Sequence, residues 1–133
     1  MNMKNLLLRE VKKMNIALIC DSEKKEATLQ FCKEFENVLR YNKLYIEYNL
    51  EEHFKGMFSF IPFETLYDNE EAKQQIVLRI LYREIDMLLF FKTTKESKED
   101  KNSDFVLLDV CDENSIPYAT NFKTAEILLK SLI

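Results

Sequence analysis

The sequence predicts an α/β protein: a doubly wound, five-stranded parallel sheet flanked by helices. Three observations carry that expectation. NIALIC at 15–20 and IDMLLFF at 85–91 are near-continuous apolar runs, which suit strands covered on both faces rather than on one. Between such runs the apolar residues recur with the period of a helix. Strand and helix alternate along the chain, which favours parallel pairing through crossover connections.

The elements follow in order. After the first strand, Ser22 is placed to cap a helix whose apolar face is Phe31, Cys32, Phe35, Val38 and Leu39. LYIEY, at 44–48, reads as the second strand. The segment from His53 to Phe63 is mixed, and a third strand is expected at 57–62. Ala72, Ile76, Ile80 and Leu81 mark a helix over 69–83, followed by the strand at 85–91. The polar run KTTKESKEDKNS, 92–103, reads as a solvated loop before a helix carrying Phe105, Leu108, Val110 and Cys111. Pro117 opens a short last strand at 117–120, and the chain continues into a helix, TAEILLKSLI.

Composition narrows the function. The chain has 133 residues, 47% hydrophobic and 32% charged, as expected of one globular domain. A net charge of −4 offers no electrostatic footprint for nucleic acid. Residues 1–13 carry an apolar cluster too short for a secretory signal, so they read as an amino-terminal helical extension that packs rather than enters a membrane, with the domain proper at 14–133. Cys20, Cys32 and Cys111 lack metal-ligand spacing and read as core thiols in a reducing compartment; neither a metal nor a cofactor is expected. The single glycine, Gly56, excludes a phosphate-binding P-loop and a dinucleotide fingerprint, both of which need several. Phe58, Phe60 and Phe63 crowd one short segment and read as exposed, which together with the amino-terminal leucines predicts a homo-oligomer.

MNIALI followed by a Lys-Lys pair, then FCKEFENVL, LY, QQI, IDMLLFF, the Cys-Asp at 111–112, IPYATN and TAEILLKSL resemble the methylglyoxal synthase family. The likeness runs from Met14 to Ile133. It implies a Rossmann-type sheet, a cytoplasmic setting, a homohexamer, and a lyase that converts dihydroxyacetone phosphate into methylglyoxal and phosphate. Such chemistry needs glycine-rich turns that bring backbone N–H groups onto a phosphate, and a carboxylate that removes a proton beside the carbonyl.

The departures fall on the loops that would do this. The family's ATGTTG phosphate turn is replaced by Ile46, Glu47, Tyr48, Asn49, Leu50 and Glu51. Its SGPLGGD turn, which ends in the catalytic aspartate, is replaced by Tyr67, Asp68, Asn69, Glu70, Glu71, Ala72 and Lys73, so a lysine stands at the base position. Its AHD becomes Cys20, Asp21 and Ser22. Asp100 falls at the position of a family histidine, and Ser103 at that of an aspartate, with Asp104 one residue away. Lys25, Gln74, Thr120 and Asn121 match the family, Lys25 at a phosphate-contacting position.

Each survivor also has a structural reading. Lys25 suits a solvated first turn of a helix, Thr120 and Asn121 a cap for the last helix, His53 a surface position, and Cys20 packing. The expectation is therefore a methylglyoxal synthase-like protein that has lost catalysis and serves as a binding, regulatory or assembly scaffold, with a protein partner or small metabolite as its ligand. Two alternatives are an active lyase in which Asp21, Asp104 and Glu70 or Glu71 supply the missing groups, and a metabolite-sensing regulatory domain. Lys73 or Lys25 is expected to pair with Glu47 and fill the old phosphate site.

Overall fold

The computed structural model describes residues 13–58, 60–66, 71–93 and 98–133. Five strands, β1 (Asn15–Cys20), β2 (Lys43–Ile46), β3 (Phe63–Thr65), β4 (Met87–Phe91) and β5 (Tyr118–Ala119), form one sheet in the order β3-β2-β1-β4-β5. Every pairing is parallel. The helices are α1 (Lys25–Glu34), α2 (Glu36–Leu39), α3 (Glu51–Met57), α4 (Glu71–Leu81), α5 (Lys98–Glu113) and α6 (Phe122–Lys130).

The period-two geometry of a strand explains the apolar run in β1. Ile16, Leu18 and Cys20 face a core built with Leu29 and Cys32 of α1, Phe54 of α3 and Leu129 of α6. Ala17 and Ile19 face the opposite core, with Ile76 and Ile80 of α4 and Leu107 and Cys111 of α5. With helices on both faces, neither side of β1 or β4 can tolerate polar residues. Strand order reverses direction at β1, so the carboxyl ends of β1 and β4 flank the crevice where such sheets place a site.

Several expectations need correction. The third strand is Phe63–Thr65, not 57–62. Residues 51–57 form α3 instead, because Leu50, Phe54 and Phe58, four apart, bury one face. Pro62 cannot donate to a ladder, but its carbonyl accepts from the Leu44 N–H at 2.9 Å and leads the chain into an edge strand. Phe58 is consequently buried and Phe63 partly so; of the three phenylalanines expected on the surface, Phe60 alone is exposed.

The run at 92–103 is not a loop throughout, since α5 begins at Lys98 and its charged first turns precede the buried Asp104, Leu107 and Cys111. Phe105, expected on the buried face of that helix, points outward at 63% exposure. The cap of the first helical turn is Asp21, whose carboxylate accepts from the Lys24 N–H at 3.0 Å; Ser22 lies inside the turn.

Two helix ends show what a glycine-poor chain must tolerate. Arg83 and Ser115 adopt positive φ, 61° and 57°. Each closes a double hydrogen-bonded end: Glu84 N–H to Arg79 O with Arg83 N–H to Ile80 O, and Ile116 N–H to Cys111 O with Ser115 N–H to Asp112 O. Gly56, by contrast, sits within α3, where an added Cβ would meet nothing within 4 Å. Arg83→Gly and Ser115→Gly should each stabilise the fold by about 0.5–1 kcal/mol by removing the left-handed penalty. Gly56→Ala should add a similar ~0.5–1 kcal/mol through helix propensity. Urea titration of the three variants checks both effects.

Candidate functional site

The stretch LYIEYNLEE shows how the site is built. β2 ends at Ile46, Glu47 is still extended, Tyr48–Leu50 make one tight helical turn, and α3 starts at Glu51. Leu50 is fully buried, which turns the chain so that Glu47 faces the end of β1. There its Oε1 accepts the Cys20 N–H at 3.0 Å. Glu51 reaches across to β3, accepting from the Thr65 hydroxyl at 3.2 Å and pairing with Lys55 at 3.6 Å. Glu52 is exposed.

Asp21, directly after β1, ties that strand to the end of β4. Its Oδ2 accepts the Thr93 N–H at 2.6 Å, its Oδ1 the Lys24 N–H, and its own N–H donates to Phe91 O at 3.1 Å. Beside it a three-part ion bridge crosses from helix to helix. Asp104 on α5 binds Lys73 of α4 through Oδ1 and Lys92, just past β4, through Oδ2 at 3.0 Å. All three side chains are mostly buried, with 11–17% exposure. Lys73 also donates to the Ser103 hydroxyl at 3.1 Å. Three carboxylates and two ammonium groups thus converge on the carboxyl ends of β1, β2 and β4.

Their electrostatics differ by environment. Burial pushes the Glu47 carboxyl above its ordinary value, against the pull of the Cys20 N–H and the charges of Lys73 and Lys92. For Asp21, partial burial also disfavours the charge, but the hydrogen bonds from Thr93 and Lys24 and the Lys92 charge outweigh it. The carboxyl is held below its ordinary value. Burial raises the Cys20 thiol to about 11, so this cysteine packs as a thiol rather than reacting as a thiolate.

The structure sorts the residues singled out in the sequence. Asp21, Glu47, Lys73, Ser103 and Asp104 come together. Lys25 opens α1, and among the described residues it makes no ion pair with Glu47. Nor does Lys73 pair directly with Glu47 as expected. Its ammonium is held by Asp104, which reaches it from the buried face of α5. Asn49 is exposed, Gln74 faces solvent on α4 and Thr120 is exposed after β5. Asn121 caps α6, accepting from the Thr124 N–H at 2.9 Å. His53 is half-buried on α3. Tyr67, Asp68 and Glu70 lie outside the described residues, as do the side chains of Glu71 and Asp100. Lys92 and Thr93 escaped the sequence reading, although a cation ending the apolar run of a central strand was the available signal. Among the described residues, no group of three or more His, Cys, Asp or Glu is placed to hold a metal. No helix among them is long and apolar enough to cross a membrane.

Fold and site together define a doubly wound α/β protein with a charged site at its topological switch point. No model of a protein family matches the chain. A methylglyoxal synthase of Caldicellulosiruptor saccharolyticus is 34% identical over 122 residues, 90% of this chain and 84% of that protein. One from Thermoanaerobacter sp. is 32% identical over 119 residues, 90% of each chain. The crystal structure of methylglyoxal synthase from Elizabethkingia anophelis superposes with a TM-score of 0.75 at 18% identity, covering 88% of this chain and 77% of that one. The chain belongs to the methylglyoxal synthase family.

Two tests address the site. Asp104→Asn leaves two largely buried ammonium groups without their carboxylate and should destabilise by about 3 kcal/mol; the triple change Lys73→Met, Lys92→Met, Asp104→Leu should recover most of this. Equilibrium denaturation reads both. The pH dependence follows from the two shifts. The raised Glu47 contributes stability that is present below its ordinary value near 4.5 and lost as pH rises through its folded value. The depressed Asp21 contributes stability present above its ordinary value near 3.8 and lost as pH falls through its folded value. Glu47→Gln should therefore remove the decline of stability on the alkaline side of pH 4.5 and leave the acid limb intact, as read by urea midpoints from pH 2 to 8.

Proposed function

We propose that this member of the methylglyoxal synthase family does not catalyse the lyase reaction, and that the chain serves as a binding, regulatory or assembly scaffold. The observation that carries this reading is the ion bridge at the strand ends. Lys73, at the position that the family resemblance gives to the catalytic base, is a cation held on Asp104. A base must accept a proton from carbon, and an ammonium group has no lone pair with which to do so. Asp21, directly after β1, has an N–H on each oxygen and a depressed pKa, which lowers its basicity.

Phosphate recognition is opposed as well. A dianion roughly 6 Å from one carboxylate meets about 5 kcal/mol of repulsion at an effective dielectric near 20. Glu47, Asp21 and Asp104 all face this place, and Lys73 and Lys92 are engaged with Asp104. The glycines that would aim backbone N–H groups at a phosphate are absent. Such a scaffold fits a cytoplasmic homo-oligomer, as the family resemblance implies, with a protein or metabolite as ligand.

Purified protein mixed with dihydroxyacetone phosphate should release neither methylglyoxal nor phosphate above the uncatalysed rate, and calorimetry should show no submillimolar binding of phosphate. Turnover that is lost in Asp21→Asn or Asp104→Asn would favour the active-lyase reading instead. Light scattering should give a mass of at least twice the 15.9 kDa of one chain, and a monomer mass at all concentrations would count against a homo-oligomer.

A further inference from the structure

We propose that the furrow between α4 and α5 is where a second copy of this chain docks, about a two-fold axis that runs along the furrow. The inference rests on the homo-oligomer reading above and names the surface that serves it. Both helices cover the same face of the sheet, where Ile76 and Ile80 of α4 pack with Leu107 and Cys111 of α5. Each connects two strands of a parallel sheet, so both run opposite to the strands and alongside one another. The Lys73 ammonium donates to the Ser103 hydroxyl at 3.1 Å, so residues 30 apart stand level on the two helices. At that register the outward sides bring Val77, Leu78, Leu81 and Tyr82 of α4 and the turn after it beside Val106 and Val110 of α5. Val77 and Val110 are partly buried, while Leu78, Leu81 and Val106 are each 55% exposed and Tyr82 is 75% exposed. None of the six is charged, in a chain with 32% charged residues, and a contiguous apolar patch of this kind on a monomer marks an interaction surface.

The charges at one end of the furrow select the occupant. Arg83, just past α4, and Asp109, Asp112 and Glu113, in the last turns of α5, are all exposed. Among the described residues Arg83, Asp109 and Glu113 enter no ion pair, and Glu84 is taken by Arg79 at 3.0 Å. The acids also lie at the negative end of the α5 dipole, with no cation in its last turn, so they gain from a positive charge brought from outside. Arg83 and Glu113 share the register of Lys73 and Ser103, which sets a cation and an anion level with each other on the two sides of the furrow. A two-fold rotation about the furrow lays α4 of each copy over α5 of the other at the same level. Arg83 of each copy then faces the partner's Glu113, and Leu78 and Leu81 of each meet the partner's Val106 and Val110. A second copy therefore carries both the apolar face and the charge pattern that complement this one.

Sedimentation equilibrium of the full chain tests the proposal. In the double variant Leu78→Glu, Val106→Glu, which changes two exposed side chains, the mass should fall by about half or more while the far-ultraviolet circular dichroism is unchanged. An unchanged mass would overturn this surface and leave the homo-oligomer reading standing, whereas a wild-type monomer at every concentration would overturn both. A charge exchange tests the symmetry independently of the apolar contact. Arg83→Glu and Glu113→Arg should each weaken association roughly fivefold, because each sets like charges face to face at two places. An equimolar mixture of the two variants should associate as the wild type does, since every facing pair is then of opposite sign. A mixture that associates no more tightly than either variant alone would overturn the two-fold arrangement.

Discussion

Two lysines share one carboxylate at the carboxyl end of the sheet, and the rest of the site depends on that bridge. Asp104 joins Lys73 of α4 and Lys92 past β4, so one side chain spans the two helices of one face and the central strand. Removing three charges from water is costly, and the cost is offset only when each finds its counter-charge at hydrogen-bond distance. Ser103 supplies a further acceptor for Lys73. With the ammonium groups so engaged, Glu47 and Asp21 meet their needs from backbone N–H groups, those of Cys20, Lys24 and Thr93. Charged side chains of the protein thus gather around the crevice at the switch point.

Family membership and the proposed loss of the family's chemistry are compatible because they rest on different residues. The fold depends on apolar side chains on both faces of β1 and β4 and on the helix faces that cover them, and any residue of suitable size keeps that arrangement. The chemistry of the family depends on turns at strand ends, where conformation and charge must both be right. This chain has given up the glycines such turns use, and it accepts left-handed geometry at Arg83 and Ser115, where the requirement is only to end a helix. Loops can change in this way without disturbing the sheet, since they lie outside its packing.

How much could be read beforehand followed the strength of the periodic signal. β1 and β4 were legible because two covered faces demand continuous apolar runs, and α4 because Ala72, Ile76 and Ile80 repeat every fourth residue. The helix at Glu51–Met57 was missed although Leu50, Phe54 and Phe58 repeat in the same way. Glycine, histidine and clustered phenylalanines between those positions obscured the period. The start of α5 was missed because its first turns are charged in sequence, with residues 101–103 exposed, leaving no apolar period before Asp104. At the site, the departures of Glu47 and Lys73 from the family's pattern were plain from the sequence, while Lys92 passed as the first residue of a polar run.

The amino-acid sequence by itself determined the parallel α/β architecture and the family, because patterns of burial are written along the chain at periods of two and 3.6 residues. It also determined that no glycine-built phosphate cradle could form. Only the tertiary structure decided which charge answers which. Lys73 and Asp104 are 31 residues apart, and Glu47 and Cys20 27 apart. Their pairing depends on the rotation of α4 and α5 against the sheet and on the buried Leu50 that turns Glu47 inward. Sequence spacing carries local geometry, whereas the partner of a charge is settled by the packing of elements that the chain brings together from a distance.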